Sequence, residues 1–239
     1  MKILALDSSG LVASVAVVED DHLLAEYTVN YKKTHSQTLM PMLDEIVRMT
    51  ELDLDTLDAI AVAGGPGSFT GLRIGSATAK GLGLALKKPI VSIPTVDGLA
   101  YNLCGAKGLV CPMMDARRNQ VYTGIYRFNG NELIVVCEQM AADVSEVLDI
   151  LNGMNEQVTF LGDGIPVYQT IIEEKIEVPH FYAPPHMNKQ RAGAIASLAG
   201  IYFKEGRIQT ASEHEPEYLR PSQAERERME KISGDGVRK

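Results

Sequence analysis

A succession of predicted elements that occurs twice constrains the fold more than any other feature of the sequence. The first half predicts a buried strand at residues 3–6, its hairpin partner at 14–18 and a third strand at 22–29. The second half repeats this meander from residues 109–114 and turns at Asn129-Gly130, a pair typical of tight hairpins. In both halves a helix, a strand and another helix follow. The repeat is one of architecture and not of sequence. Such a duplication predicts two similar α/β lobes that face a cleft.

The same pattern divides the chain into three segments. We assign residues 1–106 to the first lobe and residues 107–212, which include a helix predicted at 191–205, to the second. Residues 213–239 form a tail that is dense in charge and lacks an apolar stripe, so we expect its end to be mobile.

The charge of the chain bears on its partners. The formal net charge is −8 at pH 7, whereas proteins that hold nucleic acid alone do so mainly through Lys and Arg. We therefore expect RNA to be reached only through a partner that supplies the positive charge. The sequence contains no apolar run of the roughly 18 residues that a membrane span needs. The apolar run at its start is too short for a signal peptide. We therefore expect a cytoplasmic protein.

The first predicted helix, at residues 36–49, carries an apolar stripe. Proline lacks an N–H and fits best in the first turn of a helix, so Pro41 predicts a helix start near residues 37–39. The stripe follows the i, i+3, i+4, i+7 spacing and consists of Leu39, Met42, Leu43 and Ile46.

A glycine-rich segment, residues 64–86, joins a predicted strand to a helix at 71–86. It suggests a phosphate loop, but it lacks the Gly-x4-Gly-Lys-Ser/Thr pattern, and its glycines miss the GxGxxG spacing by one residue. Each glycine inside a helix costs about 1 kcal/mol relative to alanine, so the recurrence suggests that close packing recovers the loss. The sequence leaves open whether the packing surface is the chain's own sheet or a partner. The small residues recur every fourth position, at Gly71, Gly75, Ala79 and Gly83.

The glycine-rich segment also carries a resemblance to a known family. The run GGPGSFTGLRIG at 64–75, with AKGL at 79–82, resembles the signature of the bacterial TsaB (YeaZ) family. The match covers nearly the whole chain, since further similar segments are ILALDSS at 3–9, HSQ at 35–37, MDARR at 114–118 and PEYLRP at 216–221.

The resemblance implies a fold and a function. The fold is the actin-like ATPase (ASKHA) fold, with two ribonuclease H-like lobes of mixed sheet flanked by helices, the second lobe degenerate. The function is the synthesis of N6-threonylcarbamoyladenosine (t6A) in tRNAs that read codons starting with A. In that system TsaB is not catalytic alone but is a required subunit that activates the catalytic paralogue TsaD. The ATPase TsaE joins the pair, and TsaB forms homodimers when alone.

The resemblance also implies which residues bind the partner. The family's interface helices correspond to residues 37–49 and 71–86. The interface residues that we predict are Leu39, Met42, Leu43, Ile46, Gly71, Leu72, Ile74, Gly75, Thr78 and Leu82.

The fold superfamily binds ATP through one hairpin of each lobe, and this chain retains parts of such a site. Asp7 and Asp115 match the acids of the two hairpins. Gly162 and Gly164 match a glycine turn near the adenosine, although a simple strand-to-helix turn is the preferred explanation of these glycines. The first hairpin continues from Asp7-Ser8-Ser9-Gly10 into the apolar run at residues 11–13, and Ala116, Arg117 and Arg118 follow Asp115 where glycine is needed. We therefore expect ATP to bind only weakly or at an interface shared with a partner. An active small-molecule kinase or nucleotide hydrolase is the alternative function.

A metal site is not predicted. The five histidines form neither HxxxH nor HExxH, the spacings that place two ligands on one helix face.

Overall fold

The computed structural model describes residues 1–31 and 34–220. In the first half of this part of the chain, the strands and helices are β1 (Lys2–Asp7), β2 (Ala13–Glu19), β3 (His22–Val29), α1 (His35–Thr50), β4 (Ala59–Gly65), α2 (Phe69–Leu86), β5 (Ile90–Pro94) and α3 (Thr95–Tyr101). In the second half they are β6 (Leu109–Asp115), β7 (Gln120–Asn129), β8 (Glu132–Asp143), α4 (Val144–Met154), β9 (Val158–Leu161), α5 (Ile165–Lys175), β10 (His180–Tyr182) and α6 (Ala192–Lys204). Among the described residues, no helix is long and apolar enough to cross a bilayer.

The two halves fold into sheets of the same topology. The described strands form sheets with the orders β3-β2-β1-β4-β5 and β8-β7-β6-β9-β10. In each sheet the first three strands form an antiparallel meander, and the last two strands add in parallel. The predicted duplication into two α/β lobes is therefore confirmed. The three-residue strand β10 was not predicted, because it is too short to show a period.

The helices cover both faces of the first sheet. α1 and α2 pack on one face, where Leu4, Val15 and Ile60 meet the stripe of α1. On the opposite face, α6 packs through Ile195 and Leu198.

The position of α6 corrects the predicted boundary of the second lobe. We assigned residues 107–212 to that lobe, but α6 packs on the first sheet, and Gln209 pairs with Ile90 of β5. The reason is shape: the buried face of α6 contains Ala192, Ala196 and Ala199, which allow its backbone to approach an alanine-rich sheet face.

The start of α1 also differs from the prediction. The helix begins at His35, two residues before the predicted range, so Pro41 lies in its second turn. Pro41 cannot donate to the carbonyl of Gln37. Both residues are exposed, so water can satisfy that carbonyl, and the cost of the missing hydrogen bond is small.

Candidate functional site

The two lobes meet at a cleft that holds a cavity of about 490 Å³. The first lobe contributes residues 9–11 of the first hairpin and residues 67–70 at the start of α2. The second lobe contributes residues 114–117 of the second hairpin and Asp163. Residues 218–220, from the segment that we predicted to be a charged tail, close the remaining side.

The tip of the first hairpin is bound by the chain itself. The amide and hydroxyl of Ser9 both donate to the Asp7 carboxylate, at 2.9 and 2.6 Å, and Asp7 is buried behind the cleft and does not line it. Ser8 donates through its hydroxyl to the carbonyl of Gly71 at 2.8 Å, and Ser68 donates through its amide to the carbonyl of Ser9 at 2.7 Å. These hydrogen bonds join the tip of the first hairpin to the start of α2.

The burial of Asp7 predicts a dependence of stability on pH. Burial raises the pKa of Asp7 from 3.8 to about 6, against the opposing effect of the Ser9 hydrogen bonds. The folded state therefore holds this proton more tightly than the unfolded state, so stability is lost as pH rises from about 4 to about 6. We expect Asp7→Asn, which keeps an acceptor for Ser9, to raise the free energy of unfolding by about 1–3 kcal/mol at pH 7.5.

Urea unfolding of the wild type and of Asp7→Asn at pH 7.5 and pH 4.0 measures this effect. The difference between the two proteins should shrink toward zero at the lower pH. A difference that is the same at both pH values would contradict the assignment of the raised pKa to Asp7.

The tip of the second hairpin has an unusual backbone. Three consecutive non-glycine residues adopt positive φ angles: Arg117 at 63°, Arg118 at 55° and Asn119 at 59°. Asp115 supports the tip, because its carboxylate accepts hydrogen bonds from the Arg117 amide at 2.8 Å and from the Tyr168 hydroxyl at 2.7 Å. Of the two predicted nucleotide-site acids, Asp115 lines the cleft, whereas Asp7 lies behind it.

Gly162 and Gly164 have a structural explanation. Gly162 has a φ of 112°, and a Cβ there would collide with the carbonyl of Met113; a Cβ at Gly164 would lie 3.0 Å from the same oxygen. The close packing of this turn on the end of β6 thus accounts for both glycines. Between them, Asp163 accepts a hydrogen bond from the Asp115 amide at 3.2 Å, and burial raises the pKa of Asp163.

The glycine ridge of α2 packs on the chain's own fold. A Cβ at Gly71 would collide with the carbonyl of Ser8, one at Gly75 would lie 2.6 Å from the Ser8 hydroxyl, and one at Gly83 would lie 3.2 Å from Ala211. Of the two alternatives that the sequence left open for this ridge, the structure shows packing within the chain.

Most of the predicted interface residues lie in the core of the first lobe, which corrects that part of the prediction. Each is at most 4% exposed or is a buried glycine in contact with Ser8, so none is available to a partner in this conformation. The physical reason is that an apolar stripe on a surface helix faces the sheet of its own chain first. The residues concerned are Leu39, Met42, Leu43, Ile46, Gly71, Leu72 and Gly75.

The remaining three predicted residues, Ile74, Thr78 and Leu82, are half-buried on one flank of α2. Next to them lies a surface that we call the outer helix face. It includes two large exposed apolar side chains, Met40 at 49% and Leu84 at 65%. The residues of the outer helix face are Met40 and Asp44 of α1 and Ala77, Gly81, Leu84 and Ala85 of α2, all exposed. The i, i+4, i+8 spacing of Ala77, Gly81 and Ala85 was a signal in the sequence, but the stronger glycine ridge drew attention away from it.

No cluster of histidine, cysteine, aspartate and glutamate in residues 1–31 and 34–220 has the arrangement of a metal site. Asp115 and Asp163 are adjacent, but their contacts are with the Tyr168 hydroxyl and with backbone amides.

The duplicated topology and the inter-lobe cleft define a class of protein, the actin-like ATPase fold. The polyphosphate/ATP-glucomannokinase from Arthrobacter sp. strain KM shares this fold, with a TM-score of 0.50 at 13% identity over 86% of this chain and 99% of that chain. A family model described as TsaD, tRNA N6-adenosine threonylcarbamoyltransferase, matches residues 22–228.

More similar relatives narrow the class to a family. The tRNA threonylcarbamoyladenosine biosynthesis protein TsaB of Bacillus subtilis is 33% identical over 94% of this chain and 96% of its own length. The TsaB protein of Haemophilus influenzae is 30% identical over 92% of this chain and 94% of its own. YeaZ from Pseudomonas aeruginosa superposes with a TM-score of 0.74 at 25% identity, covering 91% of this chain and 99% of that chain. The chain belongs to the TsaB family.

Proposed function

We propose that this protein is the scaffold and activating subunit for t6A synthesis in tRNAs that read codons starting with A. It acts by binding a TsaD-type catalytic subunit through the outer helix face. The family membership supports the t6A role, because the relatives carry it in their name. The observation that carries the mode of action is the exposure of apolar and small side chains together on α1 and α2.

Gly81 is the most informative residue of this surface. A Cβ at Gly81 would meet no other described part of the chain within 4 Å, so its own fold gives no reason for glycine here. A glycine inside a helix nevertheless costs about 1 kcal/mol relative to alanine. Together with Ala77 and Ala85 it leaves a smooth strip on which a partner helix can approach the backbone of α2 closely. Leu84 on the same helix and Met40 on α1 add exposed apolar surface.

The same surface suits a second copy of the chain when the catalytic partner is absent, so we propose a homodimer of the isolated protein. A TsaE-type ATPase joins the complex. The protein contacts tRNA only as part of this complex, since the chain's net charge of −8 opposes binding to phosphates. The compartment is the cytoplasm.

The test is to mix the purified protein with its cognate TsaD-type subunit and to determine the mass of the product by light scattering. We expect a heterodimer at micromolar concentrations. Two separate species at those concentrations would overturn the proposal.

We further propose that the chain alone holds no nucleotide tightly, and that ATP binds only weakly or at a boundary shared with the partner. The donors of the first hairpin support this, because the Ser8 hydroxyl already donates to Gly71 and the Ser9 amide and hydroxyl already donate to Asp7. Titration of the isolated protein with Mg-ATP in a calorimeter should give no binding heat below about millimolar concentrations. Micromolar binding that is lost in Asp7→Ala would instead support the kinase or hydrolase alternative.

A further inference from the structure

The C-terminal segment Pro216–Arg220, which we call the strap, crosses from one lobe to the other at the mouth of the cleft. Its path begins after residues 209–214, which are already attached to the first lobe. The Lys80 ammonium of α2 donates to the carbonyl of His214 at 2.8 Å and thereby holds the chain against α2 just before the strap begins.

On the side of the first lobe, the strap contacts the glycine-rich loop and the first turn of α2. The Glu217 amide donates to the carbonyl of Gly64 at 2.7 Å, and the strap approaches so closely that a Cβ at Gly65 would collide with the carbonyl of Glu217. The Tyr218 ring packs on the Phe69 ring with 4.8 Å between centroids. Arg73 joins them, since its guanidinium lies 4.0 Å from the centre of the Phe69 ring and donates to the Tyr218 hydroxyl at 3.4 Å.

On the side of the second lobe, the strap contacts a strand and the second hairpin. Gln139 of β8 donates to the Glu217 carboxylate at 2.9 Å. The Arg220 guanidinium donates to the carbonyl of Ala116 at 3.1 Å, at the hairpin tip that lines the cleft. A segment of five residues therefore makes hydrogen bonds to both lobes.

From these contacts we infer that the strap is a built-in clamp, which holds the two lobes at a fixed closure and covers the mouth of the cleft with Tyr218 and Arg220. The strap thus adds a connection at the mouth of the cleft to the packing of α3 against the second lobe. Phe69 and Arg73 belong to α2, so the clamp also joins the position of the second lobe to the helix that carries the outer helix face. The clamp does not depend on the proposed partner.

Hydrogen–deuterium exchange of the full chain tests the clamp. In the double variant Tyr218→Ala/Arg220→Ala we expect exchange to become about tenfold faster in peptides covering residues 64–70 and 114–123, which lie in different lobes. A matched control is Tyr31→Ala/Arg48→Ala, which removes an exposed tyrosine and an exposed arginine of the first lobe away from the cleft. The control should leave both peptides unchanged.

Equal exchange in the wild type and the strap variant would overturn the inference, as would faster exchange confined to residues 64–70. Should the double variant fail to fold, the single change Tyr218→Trp provides a second measurement, because the chain contains no tryptophan. Acrylamide should quench the tryptophan fluorescence of Tyr218→Trp less than that of Tyr31→Trp. Adding Arg220→Ala should raise the quenching of the tryptophan at position 218 about twofold and leave that of the tryptophan at position 31 unchanged. Equal quenching at positions 218 and 31 would contradict the clamp.

Discussion

Gly81→Arg is expected to weaken binding to the TsaD-type subunit by about a hundredfold while making the monomer more stable. A long charged side chain on the smooth strip of α2 would hold the partner helix away and would bury an unpaired charge if the complex formed. In the monomer the arginine points into solvent, and replacing a helical glycine raises the free energy of unfolding of the monomer by about 0.8–1 kcal/mol. The binding constant comes from titration calorimetry with the partner, and the stability from urea unfolding.

The chain offers a matched control for this substitution. Gly153 of α4 is also exposed and also meets no other described part of the chain within 4 Å of an added Cβ, but it lies in the second lobe. We expect Gly153→Arg to raise stability in the same direction and to leave partner binding unchanged. If Gly81→Arg binds as tightly as Gly153→Arg does, the outer helix face is not the interface.

Leu43→Arg is expected to destabilise the fold by about 4 kcal/mol or more, enough to unfold a domain of ordinary stability. Leu43 is 3% exposed and packs against the first sheet, so the substitution buries an unpaired charge and removes apolar contacts. Met40, three residues earlier on the same helix and 49% exposed, provides the comparison.

Met40→Arg should change the stability of the monomer by less than about 0.5 kcal/mol and weaken only binding through the outer helix face, to the catalytic partner or to a second copy. Thermal unfolding of both variants, followed by light scattering with the partner, distinguishes the two positions. A folded Leu43→Arg variant that has lost partner binding would restore the stripe of α1 to the interface and contradict the assignment of Leu43 to the core.

A comparison of two helices shows why the sequence predicted their location better than their role. For α2, the prediction of residues 71–86 missed only the first two residues, just after Ser68, which caps the helix by accepting from the Gly71 amide at 3.3 Å. For α1, the apolar stripe indicated correctly that one face is buried. In neither helix does the period identify the covering surface, because the covering residues come from β1, β2 and β4.

The strap illustrates a different limit. The residues of Pro216–Arg220 have no period and carry charge, so composition assigned them to a tail. Their order comes from contacts with Gly64, Phe69, Ala116 and Gln139, all at least 78 positions away in the sequence. The remainder of the predicted tail, residues 221–239, lies outside the described residues, as does the expectation that its end is mobile.

The sequence by itself determined the two-lobed α/β topology and the family, because strand and helix periods, turn residues and motifs are properties of neighbouring positions. Tertiary structure decided which face of α2 is free, which lobe holds α6 and how the cleft is closed. These depend on what lies opposite each surface. Ser8 and Ala211 pack against the glycine ridge of α2, whereas none of the described residues packs against the strip at Gly81. The burial of a helix face depends on such distant residues, which is why we propose the outer helix face, and not the glycine ridge that the sequence emphasised, as the interface.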